Sequence, residues 1–179
     1  MRIQSDKNAR IELMKKTILF LSIICASGLT GATIYNSLVD AKSWGFDIPT
    51  SIQTARDYYQ HADPRNFYFI AGPVNQALIL LALILFWKDS VSLRFYFAAS
   101  FLLYAAIIGL TFAYFVPRNL ILFTWPISDH LQQLRTASAQ WSHMNWLRSL
   151  LGLAGVFFSF RGLDTYYQQN SQPMKQQPS

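Results

Sequence analysis

Residues 95–116 read FYFAASFLLYAAIIGLTFAYFV, and residues 70–87 read IAGPVNQALILLALILFW. Neither stretch contains a charged side chain. A helix needs about 20 mostly apolar residues to cross a hydrocarbon core, so both qualify by length and composition. The uncharged runs extend over 66–87 and 95–117, and a third covers 17–39. Residues 136–160 hold one full charge, Arg148, and end in WLRSLLGLAGVFFSF. The expected fold is therefore all-α, an integral membrane antiparallel four-helix bundle. Its spans are expected at about 17–39, 70–87, 95–117 and 141–160. Only KDSVS at 88–92 joins the middle two, which leaves room for little but a tight turn.

The rest of the composition agrees. The chain has 179 residues, 52% apolar and only 13% charged, against about 25% charged in soluble domains. Four spans leave too little chain for a separate soluble domain. Residues 1–165 are expected as one membrane domain and 166–179 as a disordered polar tail. The net charge is +6, but the basic residues sit in small groups between apolar runs. Nucleic-acid binding wants a basic stripe on a soluble fold, so it is not expected. The single cysteine, Cys25, excludes an internal disulfide and any Cys-rich metal site.

Lys15 and Lys16 precede TILFLSIICASGL, a pattern shared with cleaved signal peptides. The apolar run continues through GATIYNSLV, beyond the usual signal core, so an uncleaved first span is expected. Ile24 before Cys25 argues against lipoprotein processing, and Cys25 reads as a small buried residue. Ser27 with Gly31 and Gly28 with Ala32 read as ordinary bundle-packing pairs.

Lys and Arg are enriched in cytoplasmic flanks. The N-terminal tail, the 88–94 turn and the C-terminal tail together carry nine, whereas 40–65 and 118–135 carry five. Both termini are thus expected in the cytoplasm of a bacterial inner membrane, with loops 40–65 and 118–140 outside. SIQTARDYYQHA at 51–62 suits a short interfacial helix, and Tyr58, Tyr59, Phe67, Tyr68 and Phe69 suit an aromatic belt.

Polar residues inside spans are costly and often functional. Here they gather at one level, the outer one. Tyr35 and Asn36 end the first span, Asn75 and Gln76 begin the second, and Tyr114, Pro117, Arg118 and Asn119 end the third. Trp141, His143, Asn145 and Arg148 begin the fourth. Trp141, Asn145 and Arg148 step by four and three and share one helix face. An outward polar pocket is the expected site, with Arg148 as its sharpest member because no acid lies near it in sequence. A guanidinium there must snorkel, pair with polar neighbours, or hold an anion. The bland readings stay open beside it: Asn75 as a cap, Asn119 as a partner for carbonyls freed by Pro117, His143 and Trp141 as interfacial residues. No G-x-G-x-x-G, G-x-x-x-x-G-K-[ST], G-x-S-x-G or H-E-x-x-H occurs, and His61, His130 and His143 are scattered. Metal, haem and nicotinamide chemistry have no motif support.

YFVPRNLILF at 114–123, followed by QWSHMNWLRSLLGLAGVFFSF at 140–160, resembles a family of small four-span membrane proteins that includes the fungal anthrone oxygenases. The pattern rests on Pro117, Asn119, Trp141, Asn145 and Arg148, and SIQTARDYYQHADPRNFYFIAGPVNQAL at 51–78 also looks like bacterial members. Many members carry His near the fourth-span Arg, where this chain has Asn145. The resemblance implies an oxygenase that uses no metal or organic cofactor and acts on a planar phenolic or quinol-like compound. It would need a base, a cation and an apolar slot. His143 or Tyr114 would be the base; Arg148, Arg118, Asn145, Asn119, Asn75 and Trp141 would bind substrate. The alternative is a non-catalytic membrane subunit whose polar cluster holds the bundle together or binds a lipid or protein partner. Membrane lipid is the expected surrounding partner, and a homo-oligomer is left open.

Overall fold

The structure, a computed structural model, describes residues 2–171, with side chains described for 4–170. It is helical, with no strand among the described residues. Helix α1 (Arg2–Tyr35) passes through a π-helical turn (Asn36–Asp40) into α2 (Ala41–Gly45). After α3 (Thr50–Tyr59), α4 (Pro64–Leu85) returns. Helix α5 (Val91–Leu110) passes through a second π-helical turn (Thr111–Phe115) into α6 (Val116–Thr124), and α7 (Leu131–Ser171) runs back. The four long helices neighbour one another in the ring order α1–α4–α5–α7. The direction alternates, so both described termini share one end of the bundle, and α2, α3 and α6 crowd the far end.

Local chemistry sets the boundaries. Asp63 accepts the backbone N–H of Arg65 at 2.8 Å and Pro64 opens α4, an N-cap followed by proline at the first helical position. Ser90 caps α5 by accepting from Leu93 N at 3.2 Å, which makes KDSVS the expected tight turn. Pro117 has no N–H to offer the carbonyl four residues back. The ladder widens into the π turn just before it, a local irregularity often found at functional sites.

Among the described residues, three helical stretches are long and apolar enough to cross a membrane: Gln4–Gly45, Pro64–Leu85 and Val91–Thr124. Two of them outrun their expected spans. The loop expected at 40–65 begins with helix to Gly45, and the loop expected at 118–140 is mostly helix, leaving only 125–130 between α6 and α7. The cause is a second hydrophobic core at the far end, built from Ala41, Trp44, Ile48, Ile52, Phe115, Leu122, Leu134, Ala137 and Trp141. Helix α3 joins this core. Ile52 is fully buried, and Arg56 donates from Nε and Nη2 to the Leu122 carbonyl at 2.9 and 2.6 Å.

The first core, at span level and below, gathers Leu19, Ile23, Ala26, Ile79, Phe86 and Phe97 among others. Close approach is supplied by Gly155 and Gly162 of α7, where an added Cβ would lie 2.4 Å from Tyr104 and from Phe97. The small residues expected to do this, Gly28 and Gly31, face open space. The tail expected from 166 is helical to Ser171, because Tyr166 is buried against Phe86 at 5.2 Å and donates its hydroxyl to Glu12. Residues 172–179 lie outside the described residues. Beside that tie, Lys15 bonds Asp89 at 2.7 Å and closes the terminal end.

Candidate functional site

Two cavities meet at one wall. The distal cavity, of about 210 Å³, lies at the far end and is lined by Asn36, Asp40, Trp44, Tyr59, Trp141 and the charged Arg56, Asp63 and Arg65, among others. The inner cavity, of about 190 Å³, lies at span level between α1, α4 and α5, and its lining is mainly apolar. Tyr68, Asn119, Arg148 and Arg65 line both. That shared wall is the core of the site.

Arg148 is 8% exposed. Its guanidinium carbon lies 4.2 Å from the ring centre of Phe115, 5.6 Å from Trp141 and 5.7 Å from Tyr68. Its Nε is buried without a hydrogen-bond partner, and no carboxylate pairs with it among the described residues. Three aromatic faces stabilise a desolvated cation by about 2 kcal/mol or more at best. A bare charge in a dry site costs considerably more. The cage orients the guanidinium without satisfying its N–H groups, which face two cavities. It is built to meet an anion or an oxygen lone pair.

The wall is held from behind by amide bonds. Trp141 Nε1 donates to Asn119 Oδ1 at 2.9 Å, tying α7 to α6. Asn145 Nδ2 donates to the Thr33 carbonyl at 2.9 Å and to Ser37 Oγ at 2.6 Å, tying α7 to the first π turn. With the Asn36 amide turned to satisfy both its ends, its oxygen accepts from Tyr68 OH at 2.9 Å. Its nitrogen then donates to Asp40 Oδ2 at 2.7 Å. A row of hydrogen bonds thus runs from Tyr68, on the shared wall, to Asp40 in the distal cavity. Tyr59 lines that cavity too, and burial pushes its phenol up to about 12, so at neutral pH it acts as a neutral hydroxyl.

The eight residues expected from the sequence divide evenly. Arg148, Asn119, Trp141 and Asn75 line a cavity. Asn145 is fully buried but lines neither, its amide nitrogen being taken by Thr33 of α1 and Ser37 of the first π turn. Arg118 stacks on Tyr114, 3.3 Å from the ring centre, and donates to Gln140 Oε1 and the Tyr114 carbonyl, each at 3.0 Å. Tyr114 OH donates to the Gln140 carbonyl at 3.3 Å. His143 is exposed on the opposite face of α7 from Arg148, its Nδ1 bonded to the Ala139 carbonyl at 2.7 Å. These last three also line neither cavity.

The sequence reading passed over Tyr68, which it gave to an aromatic belt, and over Asp40, Trp44 and Phe115. For Tyr68 a signal existed: it stands seven residues before Asn75 and four before Gly72, on one face of α4. No group of three or more His, Cys, Asp or Glu suited to a metal occurs among the described residues.

A family model described as anthrone oxygenase matches residues 65–158. That stretch covers all of the shared wall, Arg65, Tyr68, Asn119 and Arg148, and also Phe115 and Trp141 against the guanidinium. No curated protein and no solved structure matches the chain.

Proposed function

The chain belongs to the anthrone oxygenase family, and from that premise we propose that it is a membrane-embedded oxygenase that works without cofactor on a planar phenolic or quinol-like compound. The observation that carries this reading is the buried Arg148 guanidinium, unpaired and facing an apolar cavity. Loss of a proton from an anthrone gives an anion delocalised onto ring oxygen. Arg148 stabilises that oxygen, and the Trp141, Phe115 and Tyr68 rings exclude water around it. The anion then adds dioxygen, and the resulting hydroperoxide loses water. The ring CH₂ becomes C=O, one dioxygen is consumed and one water is released.

The proton lost is assigned a path from Tyr68, which faces the inner cavity, through Asn36 to the Asp40 carboxylate at the distal one, and it returns by the same path to the peroxide oxygen once dioxygen has added. His143 and Tyr114 are passed over for this step because neither lines a cavity. A positioned acid–base group contributes about 10²–10⁴-fold. The scaffold alternative would want Arg148 bonded to Asn75 and Asn119. No such bond occurs among the described residues, which favours a ligand.

Four spans with both termini in the cytoplasm of a bacterial inner membrane complete the proposal. Helix α7 presents Trp146, Leu147, Leu150, Leu153, Phe157 and Phe160 outward along about 21 Å of its length, a stripe suited to lipid. Nine Lys and Arg flank one side and five the other. The test is oxygen consumption by proteoliposomes given anthrone, with quinone formation followed by absorbance. One quinone per dioxygen, abolished in Arg148→Leu, supports the reading. Uptake no faster than in empty vesicles sinks it.

A further inference from the structure

The inner cavity reaches the side of the bundle between α4 and α5. Phe69 and Phe112 line it while being 58% and 60% exposed, and Pro73 beside them is exposed as well. Between these residues stands Gly72, which lines the cavity and where an added Cβ would meet no atom within 4 Å. This gap lies within the apolar length of Pro64–Leu85 and Val91–Thr124, so it opens toward hydrocarbon. The distal cavity is different. A ligand arriving there must pass Arg56, Asp63 and Arg65, charges that a flat apolar molecule gains nothing by approaching.

Past Gly72 the lining turns polar. Asn75 is 3% exposed, and its Oδ1 has no hydrogen-bond partner. Gln76 donates Nε2 to the Phe101 carbonyl at 3.4 Å, so its oxygen is the end left over, buried and unpartnered. Buried acceptors without donors cost about 1–3 kcal/mol each, and both residues border the same space, together with Arg148.

We propose that the ligand reaches the inner cavity sideways from the bilayer, through the gap at Gly72, and carries ring hydroxyls that donate to Asn75 and Gln76 while its acidic oxygen meets Arg148. This rests on the ligand reading of the cavity given above, and adds to it a route and two specificity-determining acceptors. The hydroxyls decide which lipophilic molecule stays. Lipid tails and unsubstituted rings pass the gap but leave both amide oxygens unsatisfied.

The test uses the full-length protein in vesicles of phosphatidylcholine and phosphatidylglycerol, with dithranol (a dihydroxyanthrone) and plain anthrone as probes. Binding is read as saturable quenching of tryptophan fluorescence, separately from oxygen consumption. At fixed probe, the rate of quenching should follow the mole fraction of dithranol in lipid as vesicles are added, not its total concentration. Gly72→Phe should slow quenching about tenfold or more. Gly28→Phe, on an outward face of α1 with equal free space, should leave it unchanged. Gln76→Leu should weaken dithranol about tenfold and anthrone hardly at all.

Dithranol quenching at the wild-type rate in a folded Gly72→Phe protein overturns the route. So does a rate set by the aqueous concentration, which needs no variant. Quenching by brominated phosphatidylcholine that dithranol fails to relieve assigns the space to an acyl chain and overturns the proposal. Binding with these dependences but without oxygen uptake sinks the oxygenase reading alone. Oxygen uptake unaffected by Gly72→Phe sinks the route alone.

Discussion

Trp141 donates its indole N–H to Asn119 Oδ1 at 2.9 Å, and the same indole stands 5.6 Å from the Arg148 guanidinium carbon. One hydrogen bond therefore fixes both the α6–α7 junction and one wall of the cation's cage. Asn119→Leu should leave the indole N–H without an acceptor in a dry setting, at about 1–3 kcal/mol. Asn119→Asp keeps an acceptor and should cost less. Thermal melting in detergent reads the difference, and equal melting of Asn119→Leu and wild type would refute it.

Arg148→Leu separates a ligand-binding cation from a structural one. No hydrogen bond or ion pair is lost on the protein side, and an expensive buried charge disappears. The melting temperature should hold or rise, while turnover falls about 10²–10³-fold, the cost of removing one oxyanion donor. Arg148→Lys retains charge without the planar fork and should fall between them. A clear drop in melting temperature for Arg148→Leu would show that the guanidinium supports the bundle after all.

Gly155 is a packing requirement, whereas Gly28 is not. A Cβ at Gly155 would stand 2.4 Å from Tyr104 Cε1 and 2.7 Å from Cζ. Overpacking of that kind costs about 1–3 kcal/mol, so Gly155→Ala should melt lower, and the same change made in a Tyr104→Ala background should cost less. Gly28→Ala should melt with wild type. Equal melting of both single variants would remove the steric argument.

Asp63 gives a pH dependence with a definite sign. Hydrogen bonding from the Arg65 side chain holds its carboxyl below the ordinary carboxylate value. A depressed folded-state pKa gives stability that is present at neutral pH and is lost as pH falls through that lowered value. Asp63→Asn should therefore melt below wild type at neutral pH, and the gap should close as pH falls through the ordinary carboxylate range and below it. Asp63→Ala also removes the α4 cap, at about 1 kcal/mol. A gap that stayed constant with pH would assign the effect to something other than the carboxylate charge.

The bundle was legible because charge is so scarce in 66–87 and 95–117 that no other fold accommodates them. Arg148 stood out for the same reason, as the single full charge in 136–160. The helix-face argument also held for Trp141 and Arg148, which meet at one wall. It did not carry Asn145, on the same stripe, into a cavity, because a helix face one residue wider touches α1 instead. The far-end cap was not legible: Trp44, Ile52 and Leu134 come from three segments that look like polar loops singly and form a core only together. Tyr114 and Arg118 show the limit most plainly. Four residues apart, they lie side by side, and there they satisfy each other and turn away from the cavities.

The two π turns are phase shifters. Each inserts an extra residue into its helix, so everything beyond is rotated by about a third of a turn relative to an unbroken helix. Asn36 and Asp40 come from the first, Phe115 from the second, and Asn119 and Trp44 lie just beyond. A single-residue deletion in either turn would leave the transmembrane lengths nearly intact yet swing Asn119 from Trp141, or Trp44 from its aromatic neighbours. The geometry of this wall thus depends on chain length as much as on residue type, and a one-residue change in length alters it with no substitution at any residue that touches the cavities.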